Sequence, residues 1–325
     1  MQLSEASSSN FTFFQNRKYM ISRYLIWLFA VILLVSCDKN EEFEEDEVGA
    51  NIQLQGTGSF VYNDYSPLAD KPITVYYHVP DGVNEFAPVV FIFHGAGRDA
   101  KESRDELISK ANLYRNILIV PEFSQTYFRG SDAYNLGNVF EDGDRPSPES
   151  LNPEEEWTFS LIEPIFDFLR NSTSINVETY NAIGFSAGAQ FLHRFLYFKP
   201  QSRIQHAVVA SAGWYTIPDF QIDFPYGLAK APVLANSMAA FYSRQTTVVV
   251  GEADNDPNAS SLRRNSTVDQ QGTNRLARAQ YFYNQSQVQA NHSSSTFNWT
   301  YLSIPNATHD FQAVASYAMD NALNN

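Results

Sequence analysis

The sequence has a single cysteine, Cys37, which lies near the amino terminus. The rest of the chain after this position therefore contains no thiol, and this excludes a disulfide, a thiolate metal site and a thiol nucleophile there. The H-E-x-x-H pattern and comparable metal-ligand spacings are also missing, so we expect neither a metal nor a cofactor. A fold in this chain must be stabilised by its hydrophobic core, and 44% of the residues are apolar.

Basic residues are scarce as well. The chain has 22 Lys and Arg against 36 Asp and Glu, which gives a formal net charge of -14. A nucleic-acid partner would require a basic stripe to contact phosphates, and no such stripe occurs in the sequence. We therefore expect no nucleic-acid partner. Six of the acidic side chains lie at positions 41–47, where like charges repel one another, and this predicts a solvated tether at residues 38–50.

No apolar run is long enough for a typical transmembrane helix. The run at residues 24–35 has about 12 residues, whereas roughly 20 are needed to cross a bilayer. Basic residues precede this run and Leu34-Val35-Ser36-Cys37 ends it, which is the pattern of an export signal. A signal-anchor helix is the alternative. Met20 is a second possible start of the signal, in which case residues 1–19 would be a start-site artefact.

The last four residues of this signal resemble the bacterial lipobox, in which the chain is cut before the cysteine and the cysteine thiol is acylated. The resemblance implies a signal peptide at residues 1–37 and a lipid on Cys37. It also implies a cell-envelope protein anchored to a bacterial membrane. The acidic residues that follow Cys37 resemble a signal for export to the outer surface.

Residues 51–325 alternate between short apolar runs and helical patterns, which predicts a single α/β domain. We expect a mostly parallel sheet with helices on both faces. The predicted strands are at residues 51–62, 72–79, 88–93, 116–120, 179–185, 206–210, 246–250 and 298–304. The predicted helices are at residues 99–114, 154–169, 187–198, 273–289 and 310–322. Two segments without periodicity, 122–151 and 214–231, are candidates for the walls and lid of a cleft.

The strongest motif is G-x-S-x-G, at the point where a predicted strand passes into a helix. It consists of Gly184-Phe185-Ser186-Ala187-Gly188. A serine on a sharp strand-to-helix turn projects its hydroxyl above the sheet, and small neighbours let strand and helix approach closely. We therefore predict that Ser186 is a nucleophile, against the alternative of a turn with no reactive role.

A serine nucleophile needs a base within hydrogen-bond reach and an acid that orients the base. The expected order along the chain is serine, acid, histidine. Asp254 follows the strand at 246–250 in a Gly-x-x-Asp arrangement, and Asp256 and Glu252 are the alternatives. Asp254, Asp256 and Asn258 also have the spacing that opens a calcium loop, but the glycine and glutamate that complete such a loop are missing.

His309 is the predicted base, because it lies between the last strand and the last helix. His292 precedes that strand and belongs to the opposite edge of the sheet. His193 lies on the helix after Ser186, where we expect a packed or paired side chain. For the oxyanion, the sequence predicts the backbone amide of Ala187 and a second amide from the loop after residues 88–93, either Ala96 or Gly95. His94 is expected to hold that loop.

From residue 89 onward the chain resembles α/β hydrolases related to polyhydroxybutyrate depolymerases and to feruloyl and acetyl-xylan esterases. The matching segments are His94-Gly95-Ala96-Gly97, Gly184-Phe185-Ser186-Ala187-Gly188, Ala212-Gly213-Trp214-Tyr215, Gly251-Glu252-Ala253-Asp254 and Thr308-His309-Asp310. The resemblance implies an α/β-hydrolase fold and a serine hydrolase. One departure is Asn306-Ala307-Thr308, where the resemblance implies a glycine-rich approach to the histidine.

The predicted activity is hydrolysis of a small or polymeric carboxylic ester through an acyl-enzyme. A serine peptidase on the same scaffold is the alternative among enzymes, since one scaffold supports many substrates. A silent surface protein that binds glycan or polymer is the alternative outside enzymes. Four aromatic residues are candidates for a wall that contacts the substrate: Trp214, Tyr215, Phe224 and Tyr226.

Overall fold

A computed structural model of the protein describes residues 53–324. The predicted signal peptide, Cys37 and the tether at residues 38–50 lie outside the described residues, so they stay predictions. Within residues 53–324 no helix combines the length and the apolar composition that a membrane span requires.

Eight strands form one sheet. They are β1 Gly56–Tyr62, β2 Ile73–Val79, β3 Val89–Phe93, β4 Ile117–Glu122, β5 Tyr180–Phe185, β6 Ile204–Ala210, β7 Gln245–Gly251 and β8 Trp299–Ile304. Their order in the sheet is β1-β2-β4-β3-β5-β6-β7-β8. Strand β2 pairs antiparallel with β1 and β4, and the pairs from β4 through β8 are parallel. The central strand β3 is a continuous apolar run and is fully buried, as expected for a sheet covered by helices on both faces, whereas the edge strand β8 is mostly half-buried.

Six α-helices cover the two faces of the sheet in the described part of the chain. They are α1 Ala100–Tyr114, α2 Ile162–Ser172, α3 Ala187–Phe198, α4 Met238–Ser243, α5 Arg275–His292 and α6 Phe311–Ala318. The sheet has a hydrophobic core on each face, and successive residues of β3 belong to different cores. Phe91 lies in the core with α2 and α3, whereas Ile92 lies in the core with α1 and α6. The predicted α/β class with helices on both faces is therefore confirmed.

Most predicted elements agree with the structure within one or two residues, and α3 has the predicted bounds. The helix predicted at residues 154–169 is wrong at its start. Short 3-10 turns occupy Glu154–Glu156 and Thr158–Leu161, and the α-helix begins at Ile162. The reason is Pro164, because a proline is tolerated only in the first turn of an α-helix. The short helix α4 was not predicted.

The carboxyl ends of the parallel strands bring the predicted site together. Strands β3 and β5 are neighbours, with Phe93 opposite Gly184, so the 94–97 loop emerges beside Ser186. Strands β7 and β8 are also neighbours, with Gly251 opposite Ile304, so the 251–256 loop emerges beside the segment that leads to His309. Sites in open parallel sheets form at this edge.

Candidate active site

Ser186 lies on a strained turn between β5 and α3. Its φ of 55° and ψ of -111° place it in a region that non-glycine residues rarely adopt. Such strain costs about 1–3 kcal/mol and persists only where the surroundings hold it. The backbone amide of Ser186 donates to the carbonyl of Ala210 at 2.9 Å, and its carbonyl accepts from the amide of Gln190 at 3.1 Å. The turn is thus held from both sides, by β6 and by the first turn of the helix.

The two glycines of the motif are required by close backbone approach. A Cβ at Gly184 would lie 2.3 Å from the carbonyl oxygen of Gly188. A Cβ at Gly188 would lie 1.9 Å from the carbonyl oxygen of Phe93, at the end of β3. These distances are too short for any side chain, so the G-x-S-x-G pattern is the sequence that lets this helix dock against these strands.

The structure brings Ser186, His309 and Asp254 into one hydrogen-bonded chain. His309 Nε2 lies 3.1 Å from Ser186 Oγ, and His309 Nδ1 lies 2.7 Å from Asp254 Oδ2. The side chain of Asp254 is 5% exposed, whereas that of His309 is 26% exposed. The acid is therefore buried, whereas the imidazole is partly open to solvent.

The two alternative acids lie elsewhere. Asp256 is exposed, and its carboxylate accepts from the backbone amide of Asn258 at 2.8 Å. Glu252 is also exposed and accepts from the hydroxyl of Ser303 at 2.9 Å. Of the three carboxylates considered, only that of Asp254 is hydrogen-bonded to His309. The described residues contain no group of three His, Cys, Asp or Glu side chains that could hold a metal ion.

The loops that carry the acid and the histidine are joined through their backbones. The amide of Ala253 donates to the carbonyl of Ala307 at 2.9 Å. A Cβ at Gly251 would lie 2.2 Å from the same carbonyl oxygen, so this glycine is required for the contact. Asn306 has a φ of 60°, the left-handed region that asparagine tolerates better than most residues. Asparagine thus takes the backbone role of the expected glycine in the approach to His309.

An aromatic ring fixes the plane of the histidine. The Phe185 ring stacks on the imidazole of His309 at 4.7 Å between centroids, with 27° between the planes. Phe311, at the start of α6, contacts the same Phe185 ring edge-on at 5.5 Å. The residue between the glycine and the serine of the motif therefore orients the predicted base.

The predicted oxyanion donors lie on the two sides of the serine. Ala187 is the first residue of α3, where a backbone amide has no partner within the helix. The contact of Gly188 with Phe93 and His94 places the 94–97 loop next to this helix end. Within the loop Gly95 is half-buried and Ala96 is exposed. This arrangement keeps Ala187, Ala96 and Gly95 as the predicted donors.

Buried polar groups hold the 94–97 loop. The amide of Phe123 donates to His94 Nε2 at 3.1 Å, so Nδ1 carries the proton and donates to the carbonyl of Gly95 at 2.9 Å. Burial lowers the pKa of His94 to about 4, which keeps the ring neutral. The Tyr134 hydroxyl donates to the carbonyl of His94 at 2.7 Å, and the Arg98 guanidinium stacks over the Tyr134 ring at 4.2 Å.

The remaining candidate histidines lie away from Ser186. His193 is fully buried on α3, where its Nδ1 donates to the carbonyl of Ala189 and its Nε2 accepts from the amide of Thr216. Burial holds the pKa of His193 well below its usual value. His292 is exposed at the end of α5, before β8 begins, so it belongs to the opposite edge of the sheet.

The predicted aromatic wall is largely buried. Trp214, Tyr215 and Phe224 are 3%, 0% and 1% exposed, and Tyr226 is half-buried. Tyr215 stacks on Phe282 at 4.4 Å, so its ring belongs to the core. Tyr215 has no exposed surface in this structure, and its contact with a substrate stays a prediction. Tyr226 is the member of this set with the clearest access to solvent.

A solved structure decides the family. Poly(aspartic acid) hydrolase-1 from Sphingomonas sp. KT-1 has a TM-score of 0.78 and 37% sequence identity, covering 83% of this chain and 99% of that one. The chain belongs to the α/β-hydrolase family. The poly(3-hydroxybutyrate) depolymerase LpqC from Bordetella parapertussis is also similar to this hydrolase, with a TM-score of 0.76 and 27% identity over 82% of this chain and 89% of that one. No protein-family profile and no curated protein sequence matches the chain.

Sequence reasoning missed one charged neighbour of the hydrolase site. Arg275, the first residue of α5, lies 3.3 Å from Asp254 Oδ1 through its Nη1. No motif marks this arginine, since its contact depends on how residues 255–274 fold back toward the acid. The one available signal is its position just after Asn274, which caps the helix by accepting from the amide of Ala277 at 2.9 Å.

Proposed function

We propose that this hydrolase cleaves carboxylic esters through an acyl-enzyme, with Ser186 as nucleophile, His309 as general base and Asp254 as the orienting acid. The observation that carries the proposal is the unbroken chain of contacts at 3.1 Å and 2.7 Å that joins these side chains. A serine hydroxyl is a weak nucleophile unless a base accepts its proton in the transition state, and this geometry supplies that base.

In the first half of the reaction, Ser186 Oγ attacks the ester carbonyl and its proton passes to His309 Nε2. The oxyanion accepts hydrogen bonds from the amide of Ala187 and from the amide of Ala96 or Gly95. Asp254 stabilises the imidazolium through Nδ1. Collapse of the intermediate breaks the ester C–O bond, and His309 returns the proton to the departing alcohol.

In the second half, a water molecule takes the place of the alcohol. His309 accepts a proton from this water as its oxygen attacks the acyl carbonyl, and a second tetrahedral intermediate forms. Its collapse breaks the bond to Ser186 Oγ, which regains a proton from His309 as the carboxylic acid leaves. The enzyme returns to its starting state with one water consumed for each ester cleaved.

The test is turnover of short-chain nitrophenyl esters by the wild type and by Ser186→Ala. We expect a burst of nitrophenol equal to the enzyme concentration if deacylation is slow, and at least roughly a thousandfold loss of turnover in the variant. A variant that retains wild-type turnover would refute the proposal. A panel of acetylated, feruloylated and hydroxyalkanoate esters then defines the acyl and alcohol preference.

Hydrolysis of an amide polymer is a second candidate. The observation that favours it is the 37% identity with a protein named as a poly(aspartic acid) hydrolase. The same triad can serve both bonds, because His309 can protonate a departing nitrogen as it does an oxygen. This candidate corresponds to the peptidase alternative raised by the sequence.

Poly(aspartic acid) and poly(3-hydroxybutyrate) separate the two candidates. Each cut releases one carboxylic acid in either polymer, together with an amino group from the amide polymer or a hydroxyl from the ester polymer. Ester cleavage alone, abolished in Ser186→Ala, supports the main proposal. A size-exclusion column shows whether poly(aspartic acid) chains are shortened. Cleavage of this polymer with a higher kcat/KM than that of any ester would favour the amide candidate instead.

We also propose that a lipid on Cys37 anchors the protein to a bacterial membrane. The support is the sequence Leu34-Val35-Ser36-Cys37 behind a basic and apolar segment. The full chain expressed in a bacterium is expected to partition into the detergent phase, and Cys37→Ala is expected to abolish this partition. Equal partition of both forms would contradict the anchor while leaving the proposed activity intact.

A further inference from the structure

The buried guanidinium of Arg275 contacts the acid of the proposed triad. Its Nη1 lies 3.3 Å from Asp254 Oδ1, and its Nη2 donates to the hydroxyl of Ser261 at 2.8 Å. The side chains of Arg275 and Asp254 are 3% and 5% exposed. The backbone adds a further link, because the amide of Leu276 donates to the carbonyl of Asp254 at 3.1 Å. The start of α5 is therefore held next to Asp254 by an ion pair and by a backbone hydrogen bond.

The two oxygens of the Asp254 carboxylate have different partners. Oδ2 accepts from His309 Nδ1 at 2.7 Å, and Oδ1 faces Arg275. One partner gains a proton during the reaction, whereas the guanidinium carries its charge throughout. A cation on Oδ1 fixes the plane of the carboxylate. It also withdraws part of the negative charge that would otherwise stabilise the imidazolium.

We propose that Arg275 is a positioning residue that sets the basicity of His309 through Asp254. The inference rests on the proposed function, because it assigns Arg275 a role only if His309 acts as the base. A buried carboxylate that faced only the imidazole would attract the imidazolium with its full charge, because no second cation would share that charge. The guanidinium counters this effect without touching the substrate.

The other titratable groups near Asp254 and Arg275 are neutral or have partners of their own. Tyr215 and Tyr301 stay neutral because burial raises the pKa of each phenol. The guanidinium of Arg278, on the same helix, pairs with Asp269 and donates to the carbonyl of Gly213. The carboxylates on the flanking loops accept hydrogen bonds from other donors. Glu252 accepts from the hydroxyl of Ser303, Asp256 from the amide of Asn258, and Asp310 from the amide of Ala313.

The experiment is the pH dependence of kcat/KM for a nitrophenyl ester, measured on the full-length protein between about pH 5 and pH 9. Arg275→Met and Arg275→Gln remove the charge, and the glutamine amide can still donate to Asp254. We expect the midpoint of the acid limb to rise by about one pH unit in both, since a neighbouring charge shifts a titration by about that amount or more. We also expect kcat to fall by at least about tenfold in Arg275→Met, where the carboxylate loses its fixed plane, and by less in Arg275→Gln.

Charge-preserving variants are the matched controls. Arg275→Lys keeps a cation beside Asp254, and Ser261→Ala removes the other partner of the guanidinium without changing its charge. Both are expected to keep the acid-limb midpoint within about 0.3 unit of the wild type. Arg264→Met removes an exposed arginine that pairs with Asp269, and it is expected to leave both kcat and the midpoint unchanged.

A folded Arg275→Met or Arg275→Gln with the wild-type midpoint would overturn the proposal, and so would an equal shift in Arg275→Lys. If both neutral variants fail to fold while Arg275→Lys folds, the arginine is a structural residue only and the proposal is also wrong. Labelling with a fluorophosphonate separates this inference from the proposed function. Wild-type protein that does not label at Ser186 refutes the function itself, whereas labelling with an unmoved midpoint refutes only the role of Arg275.

Discussion

Two loops flank Ser186, and they are held in place by different kinds of interaction. The 94–97 loop is held through a neutral histidine, which is buried and hydrogen-bonded on both nitrogens. The 251–256 loop is fixed by charge, since its buried Asp254 lies between an imidazole and a guanidinium. Backbone contacts support both loops.

The difference follows from what each loop does in the proposed reaction. The 94–97 loop presents backbone amides to an oxyanion, and amides do not change protonation in the working range. A neutral support keeps their positions independent of pH. The 251–256 loop serves a proton transfer, and there the balance of charge around Asp254 decides how readily His309 accepts a proton. Changes in the charged loop should therefore move pH profiles, whereas changes in the neutral loop should lower rates without moving them.

The largest expected effect is the loss of the buried acid. Asp254→Asn should reduce kcat for a nitrophenyl ester by at least about a hundredfold, because the amide cannot hold the imidazole in the tautomer that accepts the serine proton. Asp256→Asn is the matched control two residues away, and its exposed side chain should change kcat by less than about tenfold. Circular dichroism establishes that both variants are folded. If Asp256→Asn lost kcat by this amount and Asp254→Asn did not, the assignment of the acid to Asp254 would be wrong.

A smaller effect is expected in the neutral loop. Tyr134→Phe removes the hydroxyl that donates to the His94 carbonyl, a hydrogen bond with a net value of about 1 kcal/mol. We expect kcat to fall about fivefold, with the acid-limb midpoint unchanged. Tyr197→Phe removes a similar buried hydroxyl, which donates to the carbonyl of Thr216, and should affect stability but not kcat. A shifted midpoint in Tyr134→Phe would break the contrast between the two loops.

The buried histidines should make the stability of the folded protein depend on pH. Burial lowers the pKa of His94 and of His206 to about 4, below the usual value of 6.5. The unfolded chain therefore binds the proton first, so stability is fully present above about pH 6.5 and is lost as the pH falls toward about 4. Each group should cost about 2 kcal/mol of unfolding free energy between about pH 7 and pH 5.

Urea denaturation at the two pH values measures this loss. His206 is the residue to change, because it lies on β6 with its Nε2 2.8 Å from the Thr247 hydroxyl, and it supports neither loop. His206→Gln can keep that hydrogen bond without titrating, so its stability should fall less than that of the wild type. An equal fall in both proteins would show that His206 does not contribute.

The sequence predicted the parts of the site that depend on a short motif. The turn that carries Ser186 needs glycine at positions 184 and 188, because a Cβ at either would lie within 2.5 Å of a backbone oxygen. This need leaves the G-x-S-x-G pattern in the sequence. The helix start predicted at residue 154 was wrong although Pro164 is visible in the sequence, whereas the burial of Tyr215 depends on packing. Tyr215 is an aromatic residue in an irregular segment, and nothing in its neighbours along the chain shows that its ring stacks on Phe282 in the core.

Arg275 shows the same limit within the candidate site. Its contact with Asp254 joins residues 21 positions apart, across a segment that includes a 3-10 turn at Val268–Gln271. The spacing of motifs does not specify such a contact, because it depends on the path of the intervening chain. The sequence therefore predicted the side chains of the proposed triad but not the arginine that contacts its acid.

The most direct test of the proposed triad is the site at which a fluorophosphonate reacts. Wild-type protein is treated with the reagent, digested and mapped by mass spectrometry, with Ser186→Ala, Asp254→Asn and Asp256→Asn treated in parallel. We expect one adduct on Ser186 that forms rapidly in the wild type and in Asp256→Asn, at least about a hundredfold more slowly in Asp254→Asn, and not at all in Ser186→Ala. Absence of the adduct from the wild type, or a stable adduct on another residue, would contradict the proposed triad.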